Sequence, residues 1–146
     1  MNPETLRDHV LESDDDLRDV LELLLQQAGQ RQLWLLFLDG RGRIGEPLIP
    51  MADYPEDPLE VVTTDDLGEV THAHLLSQRI RGLRELTGNA AVVLVWERVG
   101  GEDVDDDVRA WARAMKREAA LLGLPLRAQF LLHTHGVRQL HADDVL

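Results

Sequence analysis

The chain of 146 residues has the length of one domain, and its 44% hydrophobic and 29% charged residues are typical of a globular fold. It contains no cysteine, which excludes disulfides, thiolate zinc sites, iron–sulfur clusters and cysteine nucleophiles. A net charge of −12 opposes phosphate and argues against nucleic-acid binding. No apolar run reaches the roughly 20 residues of a membrane span, and the N-terminus lacks the basic and apolar regions of a secretory signal. We therefore expect a cytoplasmic domain with no membrane partner.

The first thirty residues predict a helical N-terminal region. Ser13 and the three aspartates after it can cap and stabilise the start of a helix. Leucine and valine then recur at helical spacing, and Gly29 is placed to end the helix. We predict a helix over about 14–28 and a shorter helical turn over about 4–11. Residues 1–30 are treated as an extension within a single domain.

Three later segments predict interior strands, because the first two are continuously apolar and the third is mostly apolar. They are residues 33–38, 90–95 and 126–133. Turn residues after the first segment lead to a weaker strand over 43–50, whose two prolines place it at the edge of a sheet. A turn over 134–136 leads from the third segment to a short strand over 137–141. Two hairpins are therefore expected.

Two further helices are predicted between the strands. Residues 51–66 carry prolines and carboxylates and are interpreted as a long surface loop. A helix capped by Thr64 or Asp65 follows, and Gly88 ends it. The acidic run over 102–107 opens the next helix, because carboxylates favour the positive end of the helix dipole. Its spacing does not match the ligand pattern of an EF-hand, so calcium binding is the less favoured interpretation.

The order of elements predicts the fold class. It is helix, strand, strand, helix, strand, helix, strand, strand. Interior strands need cover on both faces, and three amphipathic helices can provide it. We predict an α/β fold over the single domain 1–146, arranged as a three-layer α/β/α sandwich around a mixed sheet.

Several of these segments carry a family resemblance. The strand AAVVLV (90–95) is followed by a glycine-containing loop, a helix ending in AALLGL (119–124), a strand and a hairpin. Residues 35–44 form an earlier hairpin with the turn LDGRGR. Over residues 33–146 the chain resembles the JAB/MPN metallopeptidase domain, in particular its RadC-like branch. The resemblance implies the fold of that family.

The metal motif of the family is not matched by this sequence. JAB/MPN enzymes carry His-x-His-Pro after the valine-rich strand, then a serine and, three residues later, an aspartate, and these hold zinc together with an upstream glutamate. Aligned without gaps, these five positions are occupied by Trp96, Arg98, Val99, Asp106 and Arg109. An indole and two guanidinium groups cannot replace two imidazoles and a carboxylate around zinc. The resemblance thus implies the fold without its enzyme, and we expect a non-catalytic module, without a cofactor, that binds a protein partner or itself.

A cluster of histidines supports an alternative function, that of a metal-dependent hydrolase. His133 and His135 lie two residues apart at the end of a strand and therefore share a face, and His141 lies across the predicted hairpin. A three-residue hairpin loop would place His133 and His141 on one face, whereas a two-residue loop would place them on opposite faces. The sequence leaves both loop lengths open.

A second candidate site surrounds Trp96. This residue ends an interior strand beside Glu97 and Arg98, at the edge where α/β sheets form ligand crevices. With Arg109 on the following helix, these residues could bind a small molecule in an enzyme or a binding protein. Packing of Trp96 in the core is the favoured alternative.

The first helix predicts self-association. Leu23 points away from the apolar stripe formed by the other leucines and valine, so the apolar surface is wider than one sheet contact requires. We expect a homodimer formed through this N-terminal region. The alternative is that residues 4–11 fold back and cover Leu23 through Leu6 and Val10.

Overall fold

A computed structural model describes Leu6 and residues 8–146. The elements in chain order are α1 (Asp14–Leu25), β1 (Gln32–Leu38), β2 (Ile44–Met51), β3 (Val61–Thr64), β4 (Gly68–Thr71), α2 (His72–Thr87), β5 (Ala91–Glu97), α3 (Asp106–Leu122), β6 (Leu126–His133), β7 (Gly136–Leu140) and a 3₁₀ helix (Ala142–Val145). The predicted α/β class is confirmed. Within the described part of the chain, every helix is too short or too polar to cross a membrane.

The main sheet is mixed and has five strands in the order β2-β1-β5-β6-β7. Strand β1 is antiparallel to both β2 and β5, whereas β5 and β6 are parallel and are connected through α3. Strand β7 closes the sheet as an antiparallel hairpin with β6. The three strands predicted to be interior are the three central ones, and β2 lies at the edge, as its prolines predict.

A hydrophobic core lies on each face of this sheet, because neighbouring residues of a strand point to opposite faces. In β5, Val92, Leu94 and Trp96 pack into one core, which also contains residues of α2 and α3. Val93 and Val95 pack into the other core, together with residues of α1 and with Leu6 and Leu11. Burial on both faces explains why β5 is apolar at almost every position.

Helix α1 begins as predicted and ends earlier than predicted. The Ser13 hydroxyl accepts a hydrogen bond from the Asp16 amide at 3.1 Å, and the Asp16 carboxylate accepts one from the Ser13 amide. The helix ends at Leu25 and not near Gly29, because the following amides bind the sheet: that of Ala28 donates to the carbonyl of His133 at 2.9 Å. The predicted turn over 4–11 lies partly outside the described residues.

The prediction of one long loop over 51–66 is wrong. Residues 61–71 form a small hairpin of β3 and β4, separate from the main sheet. The Thr64 hydroxyl, expected to cap a helix, stabilises the hairpin turn instead, since it accepts from the Leu67 amide at 2.9 Å and donates to the Gly68 carbonyl at 3.1 Å. Thr71 caps α2, whose start is therefore later than predicted.

Helix α3 has the predicted start and end. The Asp105 carboxylate accepts a hydrogen bond from the Val108 amide at 2.8 Å and so caps the first turn. At the other end, Gly123 adopts a positive φ of 65°, which glycine tolerates without a side-chain clash. The acidic run before the helix therefore acts as a helix cap.

Candidate functional site

Trp96 lies in an aromatic cluster inside the molecule and not in a crevice. Its side chain is fully buried, and its indole Nε1 donates to the Gln129 Oε1 atom at 2.9 Å. The ring centroids of Tyr54 and Trp111 lie 5.5 and 5.8 Å from that of Trp96. The core-packing alternative for Trp96 is confirmed, because no part of its side chain is exposed.

Glu97 is buried and its carboxylate is fully occupied within the protein. It accepts hydrogen bonds from the amides of Gly29 (2.8 Å) and Gln30 (3.0 Å) and from the side chains of Gln32 (2.8 Å) and Trp34 (2.7 Å). Burial alone would raise the pKa of Glu97, but these four donors outweigh burial and hold the pKa below its ordinary value. Glu97 is therefore an ionised side chain whose hydrogen bonds stabilise the fold.

Arg98 and Arg109 both stabilise the segment around the start of α3. The Arg98 Nε atom lies 2.7 Å from an Asp105 carboxylate oxygen, and its guanidinium group also contacts the Asp103 carbonyl. Arg109 pairs with Asp106 at 3.1 Å and donates to backbone carbonyls of the preceding loop and of the C-terminal 3₁₀ helix. A ligand bound at these arginines would have to displace contacts that hold the fold.

The three histidines of the predicted metal cluster form no metal-binding group in the described part of the chain. The β6–β7 register pairs His133 with Gly136, so the hairpin loop has two residues, the length for which the sequence predicts opposite faces for His133 and His141; both nevertheless border one surface pocket. His133 is 7% exposed; its Nδ1 atom accepts from the His135 amide at 3.2 Å, and burial lowers its pKa. Across Leu6 and residues 8–146, no group of three or more histidines and carboxylates is placed to hold a metal ion.

An apolar groove of about 550 Å³ lies between α2 and the β1–β2 hairpin. We call it the α2 groove. Its apolar lining is Leu35, Ile49, Met51, Tyr54, Pro55, Leu75, Leu76, Ile80, Leu83 and Trp111, and its polar lining is Asp53, His72 and Arg79. Ile49, Met51 and the three leucines of α2 are only partly buried. The groove thus leaves apolar side chains accessible on one face of the sheet.

Arg31 fixes one end of the α2 groove. Its guanidinium carbon lies 3.7 Å from the centre of the Tyr54 ring, a cation–π contact, and Nη1 donates to the Tyr54 carbonyl at 2.7 Å. The same guanidinium pairs with Asp107 at 3.2 Å. From α3, the indole of Trp111 donates to the Pro55 carbonyl at 2.9 Å. Residues 54–55 therefore form a wall that is held by Arg31, just before β1, and by Trp111 of α3.

Burial raises the pKa of Tyr54 to about 12, so its phenol is uncharged at neutral pH. This neutral ring adds apolar surface to the wall of the groove. The tyrosine lies among prolines and carboxylates in the segment predicted to be a surface loop. A single aromatic residue in such a segment is the one sequence feature that could have indicated that part of the segment packs against the core. Its partner Arg31 has no comparable signal in the sequence.

The free charge around the α2 groove is negative. Arg79, the arginine in the lining, forms a bidentate ion pair with Asp66, with nitrogen–oxygen distances of 2.6 and 3.0 Å, which neutralises its charge. Asp53 in the lining and Glu56, which follows the lining residue Pro55 in the chain, are exposed, and neither forms an ion pair with any residue that the structure describes. The α2 groove is therefore apolar and has an acidic rim, formed by Asp53 and Glu56.

No model of a known protein family matches this sequence, and no curated protein is significantly similar to it. The chemistry of the α2 groove is therefore inferred from its own residues.

Proposed function

We propose that this chain is a non-catalytic α/β binding module that resembles a JAB/MPN domain without its metal site and binds a protein partner in the α2 groove. The order of elements supports the resemblance. The β1–β2 hairpin, the valine-rich strand β5, helix α3, strand β6 and the β6–β7 hairpin follow one another as in the segments that carry it.

The residues at the positions that match the zinc ligands of the family support a domain without the enzymatic activity. Trp96 is enclosed by aromatic rings, Arg98 binds the cap of α3, and Arg109 binds backbone carbonyls. None of these three side chains is an imidazole or a carboxylate, and each has a structural task. Zinc at this place would need both different ligands and a rebuilt core.

The α2 groove is the observation that carries the binding proposal. Its volume of about 550 Å³ lies within the usual range of ligand sites, and like them it is mostly apolar with a few polar groups. Because residues 54–55 are held by Arg31 and Trp111, one wall is already formed before a partner binds. A wall that is already ordered loses less conformational entropy when a partner binds.

The neutral dye Nile red tests the groove directly. We expect its fluorescence to rise on binding to the native protein and this rise to be lost in the variant Leu75→Glu, which places a charge in the groove. Leu75 is partly exposed and lies outside the main core cluster, so the variant should remain folded. Leu86→Glu on the same helix is the matched control, because Leu86 is 83% exposed and lies outside the lining.

Two results would contradict the binding proposal: no Nile red binding by the native protein, or equal binding by the Leu75→Glu and Leu86→Glu variants. Thermal denaturation of each variant separates loss of binding from loss of folding. The non-catalytic part is tested by elemental analysis of protein purified without added metal. Stoichiometric zinc, together with peptidase activity, would overturn it.

Self-association through the N-terminal region is a second candidate function, and the exposure of Leu23 favours it. Leu6 and Leu11 are buried in the core with residues of α1, yet Leu23 remains 52% exposed. The N-terminal segment, so far as it is described, therefore does not cover Leu23. Val10 is also exposed. We propose a homodimer contact at these residues.

A further inference from the structure

We propose that the partner bound in the α2 groove is an amphipathic helix whose apolar face enters the groove and whose flanking lysines or arginines face Asp53 and Glu56. This proposal rests on the proposed function, because it names the chemical class of partner for the same site. It follows from the shape of the groove walls, from the edge strand beside them and from the charges on the rim.

The walls of the groove present rows of side chains. From α2, the partly buried Leu76 and Leu83 lie two helical turns apart along one wall, and the buried Ile80 lies between them. From β2, Ile49 and Met51 alternate along the facing wall, as residues two apart on a strand do. Side-chain rows on both walls are suited to the apolar positions of a helix, which recur every three or four residues.

The edge strand beside the groove argues against an extended partner. An added strand binds through the backbone N–H and C=O groups of an exposed sheet edge. Strand β2 is such an edge, but Pro47 and Pro50 carry no N–H group. With these donors missing from an eight-residue strand, addition of a further strand is disfavoured, and docking through side chains remains.

The rim selects the charge of the partner. Arg79 is neutralised by Asp66, whereas Asp53 and Glu56 have no ion-pair partner among Leu6 and residues 8–146. At this rim a second copy of the chain, whose net charge is also −12, is less complementary than a basic partner, and nucleic acids and anionic lipid surfaces are repelled. Basic residues flanking an apolar stripe are complementary to this rim.

Three synthetic peptides of about 18 residues, or five helical turns, test the proposal. The first places leucine at helical spacing with lysine elsewhere, the second replaces every lysine by glutamate, and the third scrambles the first so that its leucines lose helical spacing. Binding of each is measured by isothermal titration calorimetry with the full chain. We expect the leucine–lysine peptide to bind at least about tenfold more tightly than either of the others.

Variants of the protein assign this binding to the groove and to its rim. Asp53→Asn/Glu56→Gln should weaken binding of the leucine–lysine peptide about three- to tenfold. Leu75→Glu should abolish binding of both the peptide and Nile red, and Leu86→Glu should change neither. The control Glu12→Gln/Asp143→Asn removes the same charge from exposed positions outside the groove lining, and it should have little effect.

The outcomes separate this proposal from the proposed function. If Nile red binds and the leucine–lysine peptide does not, the proposed groove stands and the helical cationic partner is wrong; if neither binds, both are wrong. Equal binding of the glutamate or scrambled peptide, or equal effects of the rim variant and its charge control, also overturns the proposal. A dimer in sedimentation that Leu75→Glu dissociates would identify a second copy as the occupant and overturn it too.

Discussion

Trp34 and Glu97, 63 residues apart in the sequence, are joined by a hydrogen bond of 2.7 Å from the indole nitrogen to the carboxylate. The same carboxylate binds the amides of Gly29 and Gln30, which lie in the connection between α1 and β1. Glu97 therefore ties that connection to the carboxyl end of the central strand β5. Because the group is buried and charged, its bonds are stronger than those between neutral groups.

Replacing Glu97 by glutamine should lower the free energy of unfolding by about 2 kcal/mol, because the amide loses the charge and turns a donor toward groups that are themselves donors. The measurement is urea denaturation at pH 7. Glu12→Gln, which removes an exposed carboxylate, should change stability by less than about 0.5 kcal/mol. An equally small effect of Glu97→Gln would show that the four bonds add nothing to stability.

The contribution of Glu97 should also depend on pH. Its pKa is lower in the folded protein than in the unfolded chain, so its stabilisation is fully present above the unfolded value of about 4.3. The stabilisation is lost as the pH falls from that value through the folded pKa, because protonation then becomes equally complete in both states. The stability difference between native protein and Glu97→Gln should therefore shrink below about pH 4. A difference that is constant from pH 7 to pH 3 would contradict this assignment.

The cap of α3 predicts unequal effects for two neighbouring aspartates. Asp105→Ala should lower the free energy of unfolding by about 1 kcal/mol or more, since it removes the acceptor of the Val108 amide and the ion pair with Arg98. Asp103→Ala is the control, because Asp103 contacts Arg98 only through its carbonyl. Chemical denaturation measures both. A calcium affinity that disappears in Asp105→Ala, without loss of stability, would instead favour an ion site.

Self-association through Leu23 should be visible by sedimentation equilibrium at tens of micromolar protein. We expect a dimer for the native chain and a monomer for Leu23→Lys, because lysine places a charge in the proposed contact. Leu121→Lys changes an exposed leucine on α3 and should leave the dimer intact. A point substitution is needed, since removal of the first helix would also remove Leu17 and Leu21 from the core. A monomeric native chain would refute the homodimer.

Local signals predicted most of the fold. Apolar segments marked β1, β5 and β6, and those of β1 and β5 are nearly continuous, because these strands are covered on both faces. The ends of α3 were predictable because a capping aspartate and a left-handed glycine act within one turn of the helix. Prolines marked β2 as an edge. Each of these features depends on residues that lie close together in the sequence.

The candidate site depends on contacts that no local signal encodes. Arg31 and Asp107 pair across 76 residues, and Arg31 also lies over the ring of Tyr54, which belongs to a segment whose composition is typical of a loop. The hairpin loop after His133 could have had two or three residues, and only the strand register decides that it has two. Side chains with buried partners far away in the sequence were therefore misplaced or missed.

The central position of β5 affects the order in which the chain can fold. Hairpins β1–β2 and β6–β7 pair residues close in sequence, whereas β1–β5 pairs distant residues, from Gln32 with Glu97 to Leu38 with Ala91. Local pairs close at a lower cost in chain entropy. During synthesis on the ribosome, α1, the first hairpin and α2 all emerge before β5, so Leu36 and Phe37 lack their central partner until then. While residues 51–97 are being synthesised, the apolar strand β1 of the nascent chain is therefore open to aggregation or to binding by chaperones.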